Sequence, residues 1–504
     1  MNSDYEKYKD LLVRLADVQY AATVLNWDQE TYMPPKGATH RAQQISTLSG
    51  MAHELSTSAG LGEILEKLTL DLTLSEKEKR NVRQSLKNFK TSKKYSTAFV
   101  EKMSLCISEA FQAWQKAKAE NNFSVYAPFL DKLVKLKREE CELLGYTGHP
   151  YDAMLDQYEP GALTANLNVL FSDVRLQLVE FVKRIAAMPQ NDDSFLHTNY
   201  DKQKQWDFGI SLLKQMGYDF DAGRQDISSH PFTTNFGPLD VRVTTRVAEN
   251  NLESMVWSCI HEGGHALYEQ GLPATEYGLP SGEYISLGIH ESQSRLWENN
   301  VGRELPYWTY NFPILQAIFP DNLKGQTPES FFKAINTVSP SLIRTSADEL
   351  TYHFHILIRF EIEKALIEGS IEVKDLPAVW NAKYKEYLGL DVPSDDKGVL
   401  QDIHWSHGSF GYFPTYSLGS FYAAQFYSKA LEQIPQLENE IEKGNLKPLH
   451  DWLKEKVYRH GKFYSAEELC IQISGEKLNF KYFMSYAQKK YNRLYKFQSE
   501  TSSV

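Results

Sequence analysis

The sequence predicts a mostly helical protein with one small β-sheet. Apolar residues recur at helical spacing from residue 5 to about residue 216, and again from about residue 419 onward. Alternating β-branched residues, which indicate a strand, stand out only in the stretch 240–247. No Ser/Gly-rich linker, low-complexity segment or internal repeat divides the 504 residues. We therefore expect a single domain over residues 1–504.

The helical segments follow from this spacing and from helix-ending signals. The first ends in a turn marked by Pro34 and Pro35. A later helix is predicted to begin at a capping box of Thr345 and Asp348 and to end at Gly369. The predicted helical segments are 5–26, most of 38–145, 164–188, 200–216, two segments at 250–271 and 289–297 described below, 345–369, and 419–495, followed by a frayed tail at 498–504.

The strand pattern runs from Asp240 to Val247, directly before the segment that carries the strongest motif. An exposed edge strand there could bind an extended peptide through main-chain hydrogen bonds. If Val241 and Val243 face inward, the alternation of side chains puts Arg242 and Thr244 together on the cleft side.

Composition argues against nucleic acid and anionic membranes as partners. The net charge of −11 argues against nucleic acid or an anionic membrane as the main partner, because both favour a basic surface. The four cysteines are far apart in sequence, as is typical of buried free thiols in a reducing compartment. The N-terminus has no apolar signal region and no apolar run approaches about 18 residues. We expect a soluble cytoplasmic protein.

The strongest motif is H-E-x-x-H at residues 261–265. On a helix, positions i and i+4 share one face, so His261 and His265 can bind a single metal ion. Glu262 would then lie beside the metal, placed to take a proton from a bound water. The alternative is a pair of helix histidines that make ordinary hydrogen bonds.

The surrounding residues favour a helix that something approaches closely. Asn250 can cap it, with Glu253 as the capping-box partner, and Gly271 stands where a helix-ending glycine belongs. Gly263 and Gly264 in mid-helix each cost about 1 kcal/mol relative to Ala. Such a cost predicts a close approach to the backbone at these two glycines.

A catalytic zinc usually takes three protein ligands. Glu291, in the predicted helix after the motif, is the candidate for the third ligand. Its alternative is a surface carboxylate paired with Arg295 at i,i+4. His353 and His355, two residues apart on one helix, point to different faces and are predicted to be core histidines.

A glycine- and aromatic-rich loop is predicted at 398–416. His407, Tyr412 and Tyr416 in it are candidates for donating a hydrogen bond to an oxyanion, and plain aromatic packing is the alternative.

These residues form a set of short motifs that resembles the carboxypeptidase Taq family of metallocarboxypeptidases, and the resemblance covers nearly the whole chain. The motifs are His230-Pro231-Phe232, the D-x-R-x-T of Asp240, Arg242 and Thr244, the H-E-x-x-H at 261–265, His290-Glu291-Ser292-Gln293, the I-R-x-x-A-D of Ile343 to Asp348, and the G-x-x-Q-D-x-H-W of Gly398 to Trp405.

The resemblance implies a helical peptidase with a deep groove, similar in architecture to angiotensin-converting enzyme and neurolysin. It implies His261, His265 and Glu291 as ligands of one divalent ion, zinc by usual assumption with cobalt as the alternative, and Glu262 as general base. The implied activity is release of single C-terminal residues from peptides with broad specificity, by an enzyme that is usually a homodimer.

A carboxypeptidase must recognise a free C-terminal carboxylate, which a guanidinium can bind through two hydrogen bonds. Arg242 and Arg344 are the candidates, and structural ion pairs with Asp240 or Asp348 are their alternative. His230 is a third candidate for substrate binding. For the oxyanion, we rank Tyr416 before Tyr412 and His407.

Two other functions stay open. One is an endo-acting oligopeptidase on the same fold, in which the arginines are structural and an amidated C-terminus is tolerated. The other is a non-catalytic protein that binds metal or peptide, although Glu262 would serve no purpose in such a site.

Overall fold

The computed structural model describes residues 3–496, so the predicted frayed tail lies outside the described residues. The mostly helical class with one small sheet is confirmed. The α-helices are α1 (Ser3–Thr31), α2 (Ala38–Ser56), α3 (Ala59–Thr69), α4 (Glu76–Ser92), α5 (Thr97–Glu120), α6 (Phe123–Leu144), α7 (Tyr151–Leu155), α8 (Thr164–Ala186), α9 (Lys202–Met216), α10 (Leu252–Gln270), α11 (Leu287–Arg295), α12 (Leu305–Ile318), α13 (Pro328–Ala334), α14 (Tyr352–Glu368), α15 (Leu376–Leu388), α16 (Pro414–Gln433), α17 (Leu437–Glu442), α18 (Lys447–Lys456), α19 (Ala466–Ser474) and α20 (Lys481–Tyr495). The strands are β1 (Gly223–Ile227), β2 (Thr233–Asn235) and β3 (Val241–Thr245).

The described chain forms two compact units, each built from three separate segments. The first unit comprises residues 3–93, 192–335 and 422–478, and the second comprises 94–191, 336–421 and 479–496. The single catalytic domain expected over residues 1–504 stays a prediction. In neither unit does a described helix combine the length and the apolarity needed to span a bilayer.

The first unit holds the sheet and α10. Its strands lie in the order β1-β3-β2, with β1 parallel and β2 antiparallel to β3. The predicted strand is therefore the central one, and β2 is an edge. The sequence signal covered only β3, because β2 has three residues and β1 contains the polar run Arg224-Gln225-Asp226, so neither shows an alternating pattern.

Buried and exposed side chains alternate only in part along the central strand β3. Val241 and Val243 are buried as expected, but Thr244 is also buried. Its hydroxyl oxygen lies 2.7 Å from that of Ser228 and accepts a hydrogen bond from the Phe232 backbone N–H at 2.9 Å. The expectation that Thr244 faces a cleft together with Arg242 is therefore wrong, because Thr244 anchors the segment 228–232 to the sheet.

The ends of α10 differ slightly from the sequence prediction. Asn251, not Asn250, caps the helix by accepting the Ser254 N–H at 3.3 Å. Gly271 ends the helix in a right-handed conformation, with φ of −87°. A Cβ at Gly271 would lie 2.5 Å from the Tyr458 ring, so close packing is what requires glycine there.

The second unit contains α14, which begins later than predicted. Thr345 lies in a short 3-10 turn, and the chain is extended at Ala347. The Asp348 carboxylate instead accepts the backbone N–H groups of Leu350 and Thr351, both at 3.0 Å. The helix ends at Gly369 as predicted, with φ of +89°.

Both histidines on α14 are buried core residues, as predicted. His353 hydrogen-bonds Ser417 and His355 hydrogen-bonds Tyr384, each at 2.9 Å. The four cysteines are also confirmed as free and buried.

Candidate metal centre

The two motif histidines lie on one face of α10. Their ring centroids are 4.9 Å apart. Each Nε2 faces the same carboxylate oxygen, Oε2 of Glu291, at 3.7 Å from His261 and 3.4 Å from His265. The ligand atoms of the three residues all lie within 4.8 Å of one another. Two imidazole nitrogens and one carboxylate oxygen form a donor set that suits a divalent transition metal such as zinc.

The close approach predicted at the two glycines is confirmed. A Cβ on Gly264 would lie 2.7 Å from both the carbonyl oxygen of Gln293 and Cα of Ser294, which are backbone atoms of α11. A Cβ on Gly263 would meet the side chains of Leu213 and Met216 of α9 instead. Gly264 therefore lets α11 come close enough to α10 for Glu291 to join the histidines.

The charges around Glu291 keep it ionised. Although burial opposes ionisation, Arg295 and His261 hold the pKa of Glu291 below its usual range. Arg295 Nε donates to Glu291 Oε1 at 2.6 Å, so the predicted i,i+4 pair is present. The pair uses Oε1, whereas Oε2 faces the histidines, so the pairing is compatible with a ligand role. The alternative of a surface carboxylate is wrong, because Glu291 is buried.

His261 also meets a carboxylate that the sequence analysis missed. Its Nδ1 lies 2.8 Å from Oε2 of Glu298. Glu298 belongs to a seven-residue π-helix, Leu296–Gly302, that continues α11. Such segments are rare and often occur at functional sites. The spacing of seven residues from Glu291 to Glu298, two helical turns, was a signal in the sequence that could have identified it.

The two histidines differ in their affinity for protons. Burial disfavours the charged form of both. At His261 the carboxylates of Glu291 and Glu298 outweigh this and raise the pKa to about 9. At His265 burial and the neighbouring His290 lower the pKa to about 3. A proton and a cation therefore compete mainly at His261.

Glu262 is buried beside these residues, with 7% of its surface exposed. Burial raises the pKa of its carboxyl group. Thr233 of the edge strand β2 donates its hydroxyl to Glu262 Oε2 at 2.6 Å. Thr233 could not be predicted from the sequence, because its role depends on where β2 meets α10.

Arg242, a candidate for substrate binding, has the structural partner that the sequence offered as the alternative. Its Nε and Nη2 donate to the two carboxylate oxygens of Asp240, both at 2.8 Å. Its guanidinium also lies 4.4 Å from the ring centroid of Trp27 and 4.8 Å from that of Phe236. His230, in the same unit, is exposed, and its carbonyl accepts a hydrogen bond from Ser228 at 2.7 Å.

Arg344 belongs to the second unit and pairs with Asp402, not with Asp348. Arg344 Nε donates to Asp402 Oδ1 at 2.9 Å, and its Nη1 donates to the Tyr352 hydroxyl at 3.1 Å. Arg359, which is fully buried, donates its Nε to Asp402 Oδ2 at 2.7 Å. Asp348 was a wrong partner because its carboxylate binds the backbone before α14.

The three candidates for the oxyanion donor, His407, Tyr412 and Tyr416, lie at two different places in the second unit. Tyr416 lies in the first turn of α16, not in a loop, with its ring centroid 5.2 Å from that of Tyr412 and 5.0 Å from the Arg344 guanidinium. His404 Nε2, which the sequence analysis did not single out, lies 3.1 Å from the Tyr416 hydroxyl. His407 is exposed and packs on Phe111 of α5. The structure thus brings together Arg344 and the two tyrosines, and His407 packs elsewhere.

The chain is similar to known proteins over nearly its whole length. A family model described as carboxypeptidase Taq (M32) metallopeptidase matches residues 7–491. Carboxypeptidase 1 of Bacillus subtilis (strain 168) is 39% identical, with 97% of this chain and 99% of that protein covered. The solved structure of an M32 carboxypeptidase from Deinococcus radiodurans R1 is 37% identical with a TM-score of 0.97, and covers 98% of this chain and 100% of that chain. Another solved structure, of a protein called CHT, is 54% identical with a TM-score of 0.96, and covers 97% of this chain and 99% of that chain.

Proposed function

The chain belongs to the carboxypeptidase Taq (M32) family of metallopeptidases, and we propose that it releases single C-terminal residues from peptides with broad specificity. The observation that carries this proposal is the convergence of His261, His265 and Glu291 beside the buried carboxylate of Glu262. These three side chains would hold one divalent cation, with zinc as our first candidate and cobalt as the alternative.

A cation bound there supplies Lewis acidity, which lowers the pKa of a water molecule and polarises a peptide carbonyl. Glu262 accepts the proton from the attacking water and delivers it to the leaving amine. The Thr233 hydroxyl restricts the rotation of the Glu262 carboxylate by donating to Oε2. This contact supports a general base whose carboxylate is held in one orientation.

The edge strand β2 is the element that we propose for binding the substrate backbone. In the described sheet it pairs on one side only, with β3, and it carries Thr233. A peptide added along β2 would therefore run past Glu262.

For the C-terminal carboxylate, the charges favour Arg344 over Arg242. Asp240 neutralises Arg242 through two hydrogen bonds. In contrast, Arg344 and Arg359 share the single carboxylate of Asp402, so these three side chains carry a net charge of +1. A substrate carboxylate would balance that charge. Tyr416, beside Arg344, stays our first candidate for the oxyanion donor, followed by Tyr412 and then His407.

The test is hydrolysis of one N-blocked tripeptide as the free acid and as the C-terminal amide, with and without a chelator. We expect release of the last residue from the free acid only, loss of activity with chelator, and recovery with zinc or cobalt. Equal cleavage of acid and amide would indicate the endo-acting oligopeptidase. No cleavage of either by protein with bound metal would indicate the non-catalytic protein. The deep groove with its similarity to angiotensin-converting enzyme and neurolysin, the homodimer and the cytoplasmic location stay predictions.

A further inference from the structure

A chain of three side chains connects the candidate ligand His265 to a buried carboxylate. His265 Nδ1 lies 2.5 Å from His290 Nδ1, and His290 Nε2 lies 2.8 Å from Oε1 of Glu269. Glu269 is 4% exposed, and the rings of Tyr268 and Tyr284 lie 5.4 and 4.9 Å from the His290 ring. The His290 imidazole is thus flanked by two tyrosine rings and lies between its two hydrogen-bonding partners.

For neutral imidazoles, the contacts determine where the hydrogen atoms lie. The Glu269 carboxylate can only accept, so His290 must carry its hydrogen on Nε2. A neutral imidazole protonated at Nε2 has its lone pair at Nδ1. His290 Nδ1 therefore accepts a hydrogen bond from Nδ1–H of His265. The lone pair of His265 is then on Nε2, the atom that faces Glu291.

In its neutral form His261 has the same arrangement of hydrogen and lone pair, but through a single contact, since its Nδ1 lies 2.8 Å from the Glu298 carboxylate. Glu298 accepts the hydrogen on Nδ1 directly and leaves the lone pair on Nε2. The two histidines of the motif are thus oriented by two different devices. One is a single carboxylate, and the other is a carboxylate that acts through a second imidazole.

We propose that Glu269 and His290 are positioning residues that act as a hydrogen-bond relay and hold His265 in the tautomer that can bind a cation through Nε2. The relay rests on the proposed function, because it presumes that His265 is a metal ligand. The relay predicts that the affinity of the site for the cation depends on the acceptor at position 290, and on Glu269 only through that acceptor.

The relay can be tested by the affinity of the metal-free full-length protein for Zn²⁺, measured by competition with a chromophoric chelator. His290→Leu removes the acceptor and should weaken binding about 10- to 100-fold, the usual effect of losing a group that orients a metal ligand. His290→Asn places an amide oxygen near the position of Nδ1 and should keep most of the affinity. Thermal unfolding of each metal-free variant shows whether it is folded.

The second part of the test is a double-mutant cycle. Glu269→Gln should weaken Zn²⁺ binding in the wild-type background, but it should have no further effect in the His290→Asn background, where the shorter side chain cannot connect Glu269 to His265. An equal loss in both backgrounds would overturn the relay. So would wild-type affinity in a folded His290→Leu variant. If that variant does not fold, the cycle alone decides.

These results are separable from a failure of the proposed function. Wild-type protein that binds no Zn²⁺ would overturn the metal site and the relay together. Wild-type protein that binds Zn²⁺ and cleaves peptides, with an affinity insensitive to positions 269 and 290, would overturn the relay alone.

Discussion

The contact between α10 and α11 at Gly264 leads to a sharp prediction, because it joins helix packing to the assembly of the metal site. Gly264→Ala adds a Cβ that would lie 2.7 Å from two backbone atoms of α11. Backbone atoms cannot rotate away as a side chain can. The two helices must therefore separate by about 0.7 Å to reach an ordinary contact of 3.4 Å.

The effects on stability and on metal binding should differ in size. Alanine in mid-helix is favoured over glycine by about 1 kcal/mol, and overpacking costs about 1–3 kcal/mol, so the net loss of stability is about 0–2 kcal/mol. Metal–ligand distances, however, tolerate only about 0.2 Å of change. A displacement of Glu291 by a distance similar to the helix separation should weaken metal binding at least about tenfold, which is about 1.4 kcal/mol.

Gly263→Ala is the matched control. Its Cβ would meet Leu213 Cδ2 at 2.8 Å and Met216 Cε at 3.0 Å, the flexible ends of two side chains. We expect a change in the unfolding temperature of the metal-free protein but little change in Zn²⁺ affinity. Affinity and unfolding temperature should be measured for both variants. Wild-type affinity in Gly264→Ala, or equal losses in the two variants, would refute the role assigned to the helix contact.

The other predictions concern single groups. Glu262→Gln should keep the metal and lower kcat by a factor of about 10² or more, measured as metal content and turnover, and retained turnover would refute the general base. Arg344→Lys should raise KM for free-acid peptides and Arg242→Lys should not, whereas equal losses on amidated peptides would mean that Arg344 is structural. Glu363 lies on α14 and is fully buried, and this burial raises the pKa of its carboxyl group from 4.5 to about 7. The folded protein therefore keeps a proton that the unfolded chain loses, and the stability from this group, about 3 kcal/mol, is complete below about pH 4.5 and lost as the pH rises through about 7. Glu363→Gln should flatten the unfolding temperature between pH 5 and 8, and an unchanged slope would contradict the shifted pKa.

Several features of the candidate site could be predicted because they depend on residues close together in the chain. A spacing of four residues places His261 and His265 on one face of any helix. The glycine pair predicted a close approach, and the structure supplies α11 at Gly264. The central strand β3 was visible for the same reason, since alternation is a local pattern.

Other predictions were wrong by a small shift or in the choice of partner. Asn251 caps α10 in place of Asn250, and α14 begins at Tyr352 rather than near Thr345. At α10 the sequence offered two adjacent asparagines, and at α14 it offered Thr and Asp side chains at residues 345, 348 and 351. Which one binds the free N–H groups depends on backbone angles that composition does not specify.

Local patterns in the sequence predict the helical class, the central strand β3 of the sheet, and the face of α10 that carries both histidines. The groups from other elements that meet that face could be identified only from the way the elements pack. Glu298 reaches His261 from a π-helix, and Thr233 reaches Glu262 from an edge strand. Likewise, Arg344 pairs with Asp402, 58 residues away. The physical reason is that periodicity fixes directions within one element, whereas a contact between elements depends on the angle and distance at which they pack.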